Sequence, residues 1–345
     1  MRPIVTDTTP DLPPVPNAVL LEARTKAPRP EDHARYLRDL APFHLIEAVP
    51  PRYVAPWPAR LSVASFNVER LTDVKAVRAL LDSVGAHVAL LTEVDVGMAR
   101  SGNRHTLRDL TAETGEGFLY GLEFLELDLG DESEMRTYAG ERNTRSFHGN
   151  AIVSNLRLER PHLIPLEESG FWFPGQDGAQ RRIGGRMGLA ARLVDAPFPL
   201  WVVAVHLESK TTREDRQGQI QALLRGLDSF AAGEACIIGG DLNTKELPAG
   251  DGAQQQVLKE AEQFEPLFGD FRREGFAWAA ANVAAVTQRT GPSGKPPPPF
   301  RKLDWFLVRG ISPEHSRVIP ALDGQGRPVS DHDMLALDLV PDADV

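Results

Sequence analysis

Residues Cys236–Asn243 read CIIGGDLN, and this stretch decides the fold class. Cys236, Ile237 and Ile238 form a short apolar run of the kind that makes a buried strand, and it stops at Gly239 and Gly240. Two glycines let a backbone turn tightly and approach a neighbour with no side chain in between. Extended alternation past them predicts Asp241 and Asn243 on one side, with Leu242 pointing away. A carboxylate and a carboxamide side by side at a strand end can orient and deprotonate one water. Gly, Asp and Asn are also ordinary turn residues, so the stretch gains meaning from what recurs around it.

The same design recurs in both directions along the chain. Leu61–Val68 alternates as a strand ending at Asn67, and Thr72 and Asp73 can cap a helix whose apolar positions run from Val74 to Val84. Val88–Glu93 is a second buried strand, closing on a carboxylate. In sheets with helical crossovers, ligands gather at such strand ends. Asn103–Glu113 reads as a helix and Phe118–Leu127 as a strand; 128–147 is polar and reads as a long surface loop. His148, Gly149 and Asn150 lead into strand Ala151–Ser154, and Arg181–Val194 resumes strand character after a Gly/Pro-rich turn region. Trp201–Leu207 is a strand with His206 near its end, followed by a helix over Arg213–Phe230. Beyond the central stretch come a helix over Gln254–Phe264, a proline run at 295–299, a strand over Lys302–Val308 with Asp304 at its start, and Ser330-Asp331-His332 before a last strand, Met334–Val340. No repeat of fixed period is present.

Totals narrow the function classes. The chain has 345 residues, 42% hydrophobic and 25% charged, which suits a globular protein with a sizeable core. Its formal net charge of -10 gives no global basic field for nucleic acid or an anionic membrane, although metal ions in an acidic site can invert the local charge. The single cysteine, Cys236, excludes an intramolecular disulfide and a cysteine-based zinc site. The N-terminus lacks an apolar leader and no run is long enough to span a bilayer, so a cytoplasmic location is expected. Residues 1–58 are rich in proline and read as an N-terminal extension with one helix, Glu31–Leu40; residues 59–345 read as the main folded domain.

Taken in order, NV at Asn67, TEVD at Glu93, HGNAIVS at His148, AVHLES at His206, GGDLNT at Asp241, KLDWFLV at Asp304 and SDHDML at Asp331 resemble the motifs of the endonuclease/exonuclease/phosphatase superfamily, the DNase I-like metal-dependent phosphoesterases. The resemblance spans about residues 60–341. It implies an α/β fold, a four-layered sandwich of two packed mixed sheets flanked by helices, with one active site at the sheet edges. It further implies Glu93, Asn67 and Asp331 as ligands of Mg²⁺ or Mn²⁺, Asp241 as the base acting on water, and Asn243 as its support. His332 is the implied phosphate-facing histidine, Asp304 its orienting partner and His206 a second phosphate-facing histidine. His148, Asn150, Arg145 and Arg186 are expected at the substrate. Arg142, Arg181 and Arg182 are further loop cations that could grip phosphates.

The implied activity is hydrolysis of a phosphodiester, nuclease-like, with nucleic acid as the candidate substrate. A Leu303-Asp304-Trp305-Phe306 run without cysteine disfavours the inositol-phosphatase branch. Three alternatives stand beside it: a phosphomonoesterase or a small nucleotide or lipid-headgroup phosphodiesterase of the same fold, an inactive binding module, and a serine hydrolase built on Ser330, His332 and Asp304. The last lacks a nucleophile elbow around Ser330.

Overall fold

The computed structural model describes residues 2–166, 171–175, 180–248, 253–294 and 302–340. Its strands are β1 (Thr8–Thr9), β2 (Ile46–Val49), β3 (Leu61–Arg70), β4 (Val88–Val96), β5 (Gly117–Glu126), β6 (Phe147–Ser154), β7 (Leu158–Pro165), β8 (Arg182–Gly184), β9 (Met187–Leu193), β10 (Leu200–His206), β11 (Ala235–Asp241), β12 (Asp304–Arg309), β13 (Ser312–Ile319) and β14 (Met334–Val340). The α-helices are α1 (Asn17–Thr25), α2 (Pro30–Asp39), α3 (Val74–Ser83), α4 (Thr106–Thr111), α5 (Glu132–Thr137), α6 (Arg213–Ala231), α7 (Ala253–Glu260) and α8 (Leu267–Arg273).

Two mixed sheets result. One runs β1-β2-β5-β6-β4-β3-β14-β13, with β8 alongside β5, and the other runs β12-β11-β10-β9-β7. Strand alternation explains why they face each other. Val63 of β3, Leu90 of β4, Val202 of β10, Ile237 of β11 and Phe306 of β12 all pack into one core between the sheets. The alternate residues point outward: Ala64 and Phe66 meet α3 and α4 in a second core, and Cys236 and Ile238 meet α6 and α8 in a third. The architecture is therefore helices, sheet, sheet, helices: the four-layered sandwich expected.

The glycine pair is tightly enclosed, Gly239 against the facing sheet and Gly240 against its own neighbouring strand. A Cβ at Gly239 would lie 2.8 Å from Leu90 and 2.9 Å from Phe306, so a side chain there would push the layers apart. At Gly240 it would lie 1.8 Å from the backbone oxygen of Val205 on the paired strand β10. Gly240→Ala is therefore expected to cost about 3 kcal/mol or more, against about 1–3 kcal/mol for Gly239→Ala, compared by denaturant midpoint at unchanged m-value.

The N-terminal residues join the body rather than trail from it. β2 pairs antiparallel with β5, and Leu20, Tyr36, Leu37 and Phe43 enter the outer core of the large sheet. The expected loop over 128–147 contains α5, which Asp131 and Glu134 start with a reciprocal capping box. The expected helix over Asn103–Glu113 shortens to α4. The proline run at 295–299 lies outside the described residues.

Candidate active site

Period-2 alternation carries the site as well as the core. His206, Asp241 and Asp304 each close a strand on its inward face, and β-pairing sets them in one row, His206 opposite Asp241 and Asp241 opposite Asp304. Asn67 holds the matching inward position on β3 of the facing sheet. Glu93 gets there differently. β4 does not end at Glu93 but continues to Val96, and its pairing with β3 and β6 slips around this residue, whose φ is +59°. The bulge re-aims one carboxylate without ending the strand.

The Asn67 carboxamide joins the two sheets: its Nδ2 donates to Glu93 Oε1 at 3.1 Å and to Asp241 Oδ2 at 3.3 Å. The loop before β14 closes the other flank. Ser330 Oγ donates to the Asn67 carbonyl at 2.7 Å and accepts from His332 N, so this hydroxyl fixes the loop and is not poised as a nucleophile. His332 Nδ1 bonds Asp304 Oδ2 at 2.8 Å, and its Nε2 lies 3.7 Å from Asp241 Oδ2. Glu93, Asp241 and His332 thus share one cleft.

The electrostatics separate the roles of neighbouring groups. Burial pushes Asp241 up to about 7 against the pull of the His332 imidazolium. Burial alone would lower His332, but Asp304 and Asp241 outweigh it and hold the ring charged well above the usual histidine range. His206 goes the other way: burial and the Arg186 guanidinium keep it neutral. Arg186 Nη1 lies 3.0 Å from His206 Nδ1, and a guanidinium can only donate, so Nδ1 accepts and the proton sits on Nε2, 3.5 Å from Asp241 Oδ2. Glu93 is held well below the carboxylate range although burial opposes this, because Arg70 pairs with it.

Asn243 arrives by a route that alternation does not describe. β11 ends at Asp241, and Asn243 adopts φ +49°. Its backbone N–H donates to Asp241 Oδ1 at 2.8 Å in an Asx turn, and its Nδ2 donates to the Leu207 carbonyl. Asn243 therefore braces Asp241 through the backbone.

The expected substrate residues divide. His148 is buried with Nδ1 2.8 Å from Asp95, beneath the cleft. Asn150 is fully buried, its Nδ2 on the Met187 carbonyl and its Oδ1 unpartnered. Arg186 is spent on Glu123, Glu208 and His206, so it positions His206 rather than reaching outward. Arg145 stands apart, paired with Asp11 and the Leu12 carbonyl. Arg181 caps the carbonyls of Ala23 and Arg24 at the end of α1.

The match to known proteins agrees with the fold. The model of the Endonuclease/Exonuclease/phosphatase family matches residues 64–332. The chain belongs to that family. Among solved structures of the Endonuclease/Exonuclease/phosphatase fold, one from Beutenbergia cavernae DSM 12333 is 19% identical over 82% of this chain and 72% of its own, with a TM-score of 0.56. A family protein from Bacteroides thetaiotaomicron is 13% identical over 84% and 98%, at 0.54. The human Nocturnin catalytic domain, with a bound sulfate anion, is 15% identical over 81% and 93%, at 0.53. At such identities the likeness shows the fold alone. No curated protein sequence matches the chain.

In this Endonuclease/Exonuclease/phosphatase member, sequence reasoning missed Glu69 and Arg70. Both lie just past Asn67 and Val68, and Glu69, Arg70 and Leu71 are successively left-handed at φ +38°, +76° and +55°. No glycine marks the turn, and each such residue costs about 1–2 kcal/mol, so this is strain of the sort found at functional sites. Glu69 Oε2 accepts from Asp331 N at 2.8 Å, and burial and the Asp331 charge push it up to about 8. Asp331 is raised by burial, partly offset by the His332 charge.

Three half-buried carboxylates, Glu69, Glu93 and Asp331, thus gather near one guanidinium, Arg70, which is also shared with Glu134. That surplus of hard oxygen donors fits a divalent Mg²⁺ or Mn²⁺. Asp241, Asp304 and His332 offer ligand atoms within 4.8 Å of one another, but the Asp304–His332 hydrogen bond accounts for that grouping. Arg70 pairs with Glu93 and would compete there with such an ion. Arg70→Ala is expected to tighten Mg²⁺ binding by about tenfold or more, read by calorimetry on the metal-free protein. Unchanged affinity would show that the guanidinium does not oppose the cation.

Proposed function

We propose that the chain is a divalent-metal-dependent phosphodiester hydrolase, nuclease-like, with Mg²⁺ or Mn²⁺ held by Glu93, Asn67 and Asp331 and with Glu69 beside them. One observation carries the reading: an acidic pocket and a charged histidine flank the same buried Asp241. Phosphodiester cleavage needs a base for water together with positive charge fixed where negative charge develops on phosphorus-bound oxygens. When bound, the metal ion supplies part of that charge as a Lewis acid.

The chain's own groups supply the rest. Asp241 Oδ1 is fixed by the Asn243 amide, and Oδ2, which also accepts from Asn67 Nδ2, takes the proton from water through its second lone pair. Its pKa near 7 suits a base working close to neutrality. His332, kept protonated by Asp304, donates from Nε2 to a phosphoryl oxygen, and neutral His206 donates from the opposite side of Asp241. Behind His206, the buried Arg186 is paired with Glu123 and Glu208 and holds that ring in place, as Asp304 does for His332.

The test is a substrate panel with Mg²⁺ or Mn²⁺: plasmid DNA, single-stranded DNA, RNA, bis-p-nitrophenyl phosphate and phosphomonoesters. Cleavage of diesters is the expected result. Cleavage of monoesters alone would replace this reading with a phosphatase.

A further inference from the structure

A cavity of about 460 Å³ opens beyond the end of β4, lined at its base by Val96 and Gly97 and by none of Asn67, Glu93, Asp241 or His332. Its volume is that of a small-molecule site. Arg104, His105, Arg108 and Arg145 line it, and Asp11 is the one acid among the lining residues. The other acids that hold these cations are not among them. Glu47, fully buried, takes Arg108 Nη2 at 2.7 Å and His105 Nε2 at 3.0 Å, and Asp109 takes Arg104 Nη1 at 3.4 Å.

Asp11 differs from those acids. It is half exposed, and Arg145 grips it as a fork, Nη1 to Oδ1 at 2.9 Å and Nη2 to Oδ2 at 2.7 Å, with Arg108 3.7 Å away. A guanidinium fork of this kind fits a phosphate as well as a carboxylate. Asp11, Glu47 and His105 could in principle group around a metal ion, but Arg108 and Arg145 already occupy the carboxylate oxygens.

We propose that this cavity is a second binding site, taking the phosphate group of a phosphorylated small molecule on Arg145 and Arg108, and that Asp11 is its displaceable internal occupant. The site stands independently of the reaction in the cleft. Calorimetric titration of the full chain with inorganic pyrophosphate, in EDTA, tests it. Asp11→Asn removes the competing charge and is expected to tighten binding at least about fivefold, whereas Arg145→Gln is expected to weaken it about tenfold or more. Equal affinity in wild type and Asp11→Asn, or weaker binding in Asp11→Asn, would overturn the proposal. So would binding abolished by His332→Ala combined with Asp304→Asn, a pair that avoids leaving Asp304 as an unpaired buried charge, since that would assign the anion to the cleft. Should Arg145→Gln fail to fold, the sign of the Asp11→Asn change decides.

Discussion

Asp241→Asn is expected to lower kcat on a phosphodiester by about 10²–10⁴-fold, the range of a positioned base. The substitution is isosteric, and its carboxamide oxygen can still accept the Asn243 amide, so the Asx turn survives. Stability should not fall with activity. The folded-state pKa of Asp241, about 7, lies above its ordinary value of 3.8, so the folded form binds this proton more tightly than the unfolded chain. The ionised carboxylate therefore destabilises the metal-free fold progressively as pH rises from about 4 to about 7. At pH 8, Asp241→Asn should melt at or above the wild-type temperature without metal and be nearly inactive once metal is added. A variant that melts much lower, or one that turns over like wild type, would remove Asp241 from the role of base.

His332→Ala is the second large effect, and it should separate from the first in its stability. Loss of one preorganised donor to the developing charge costs about 10²–10³ in kcat. Asp304 is buried and hydrogen-bonded to the removed ring, so His332→Ala also leaves an uncompensated buried carboxylate, a loss of about 3–5 kcal/mol. Adding Asp304→Asn should restore most of the melting temperature and none of the activity. Recovery of activity in the double variant would mean that His332 acts only by holding the fold together.

Much of this was legible because strands have period 2 and apolar runs end abruptly. The inward row of His206, Asp241 and Asp304 could be read from three separate strand ends. What could not be read were departures from regular structure. Glu93 is aimed by a bulge in the middle of β4, and Glu69 and Arg70 sit in a left-handed turn that no glycine announces. Asn243 was placed by alternation in a segment that is an Asx turn. The loop arginines looked alike in sequence, yet Arg186 is buried against two glutamates, Arg145 holds Asp11 and Arg181 caps a helix. Composition marks them as phosphate binders; only their long-range partners tell them apart.

The central claim is that Glu93, Asp241 and His332 form one metal-dependent centre for breaking a P–O bond. Its most direct test is hydrolysis of bis-p-nitrophenyl phosphate by the purified chain, first with Mg²⁺ or Mn²⁺, then after excess EDTA, then after adding the metal back. The account predicts turnover with metal, loss with EDTA, recovery on add-back, and no recovery in Glu93→Gln. Turnover that persists in EDTA, or that Glu93→Gln retains in full, would contradict it.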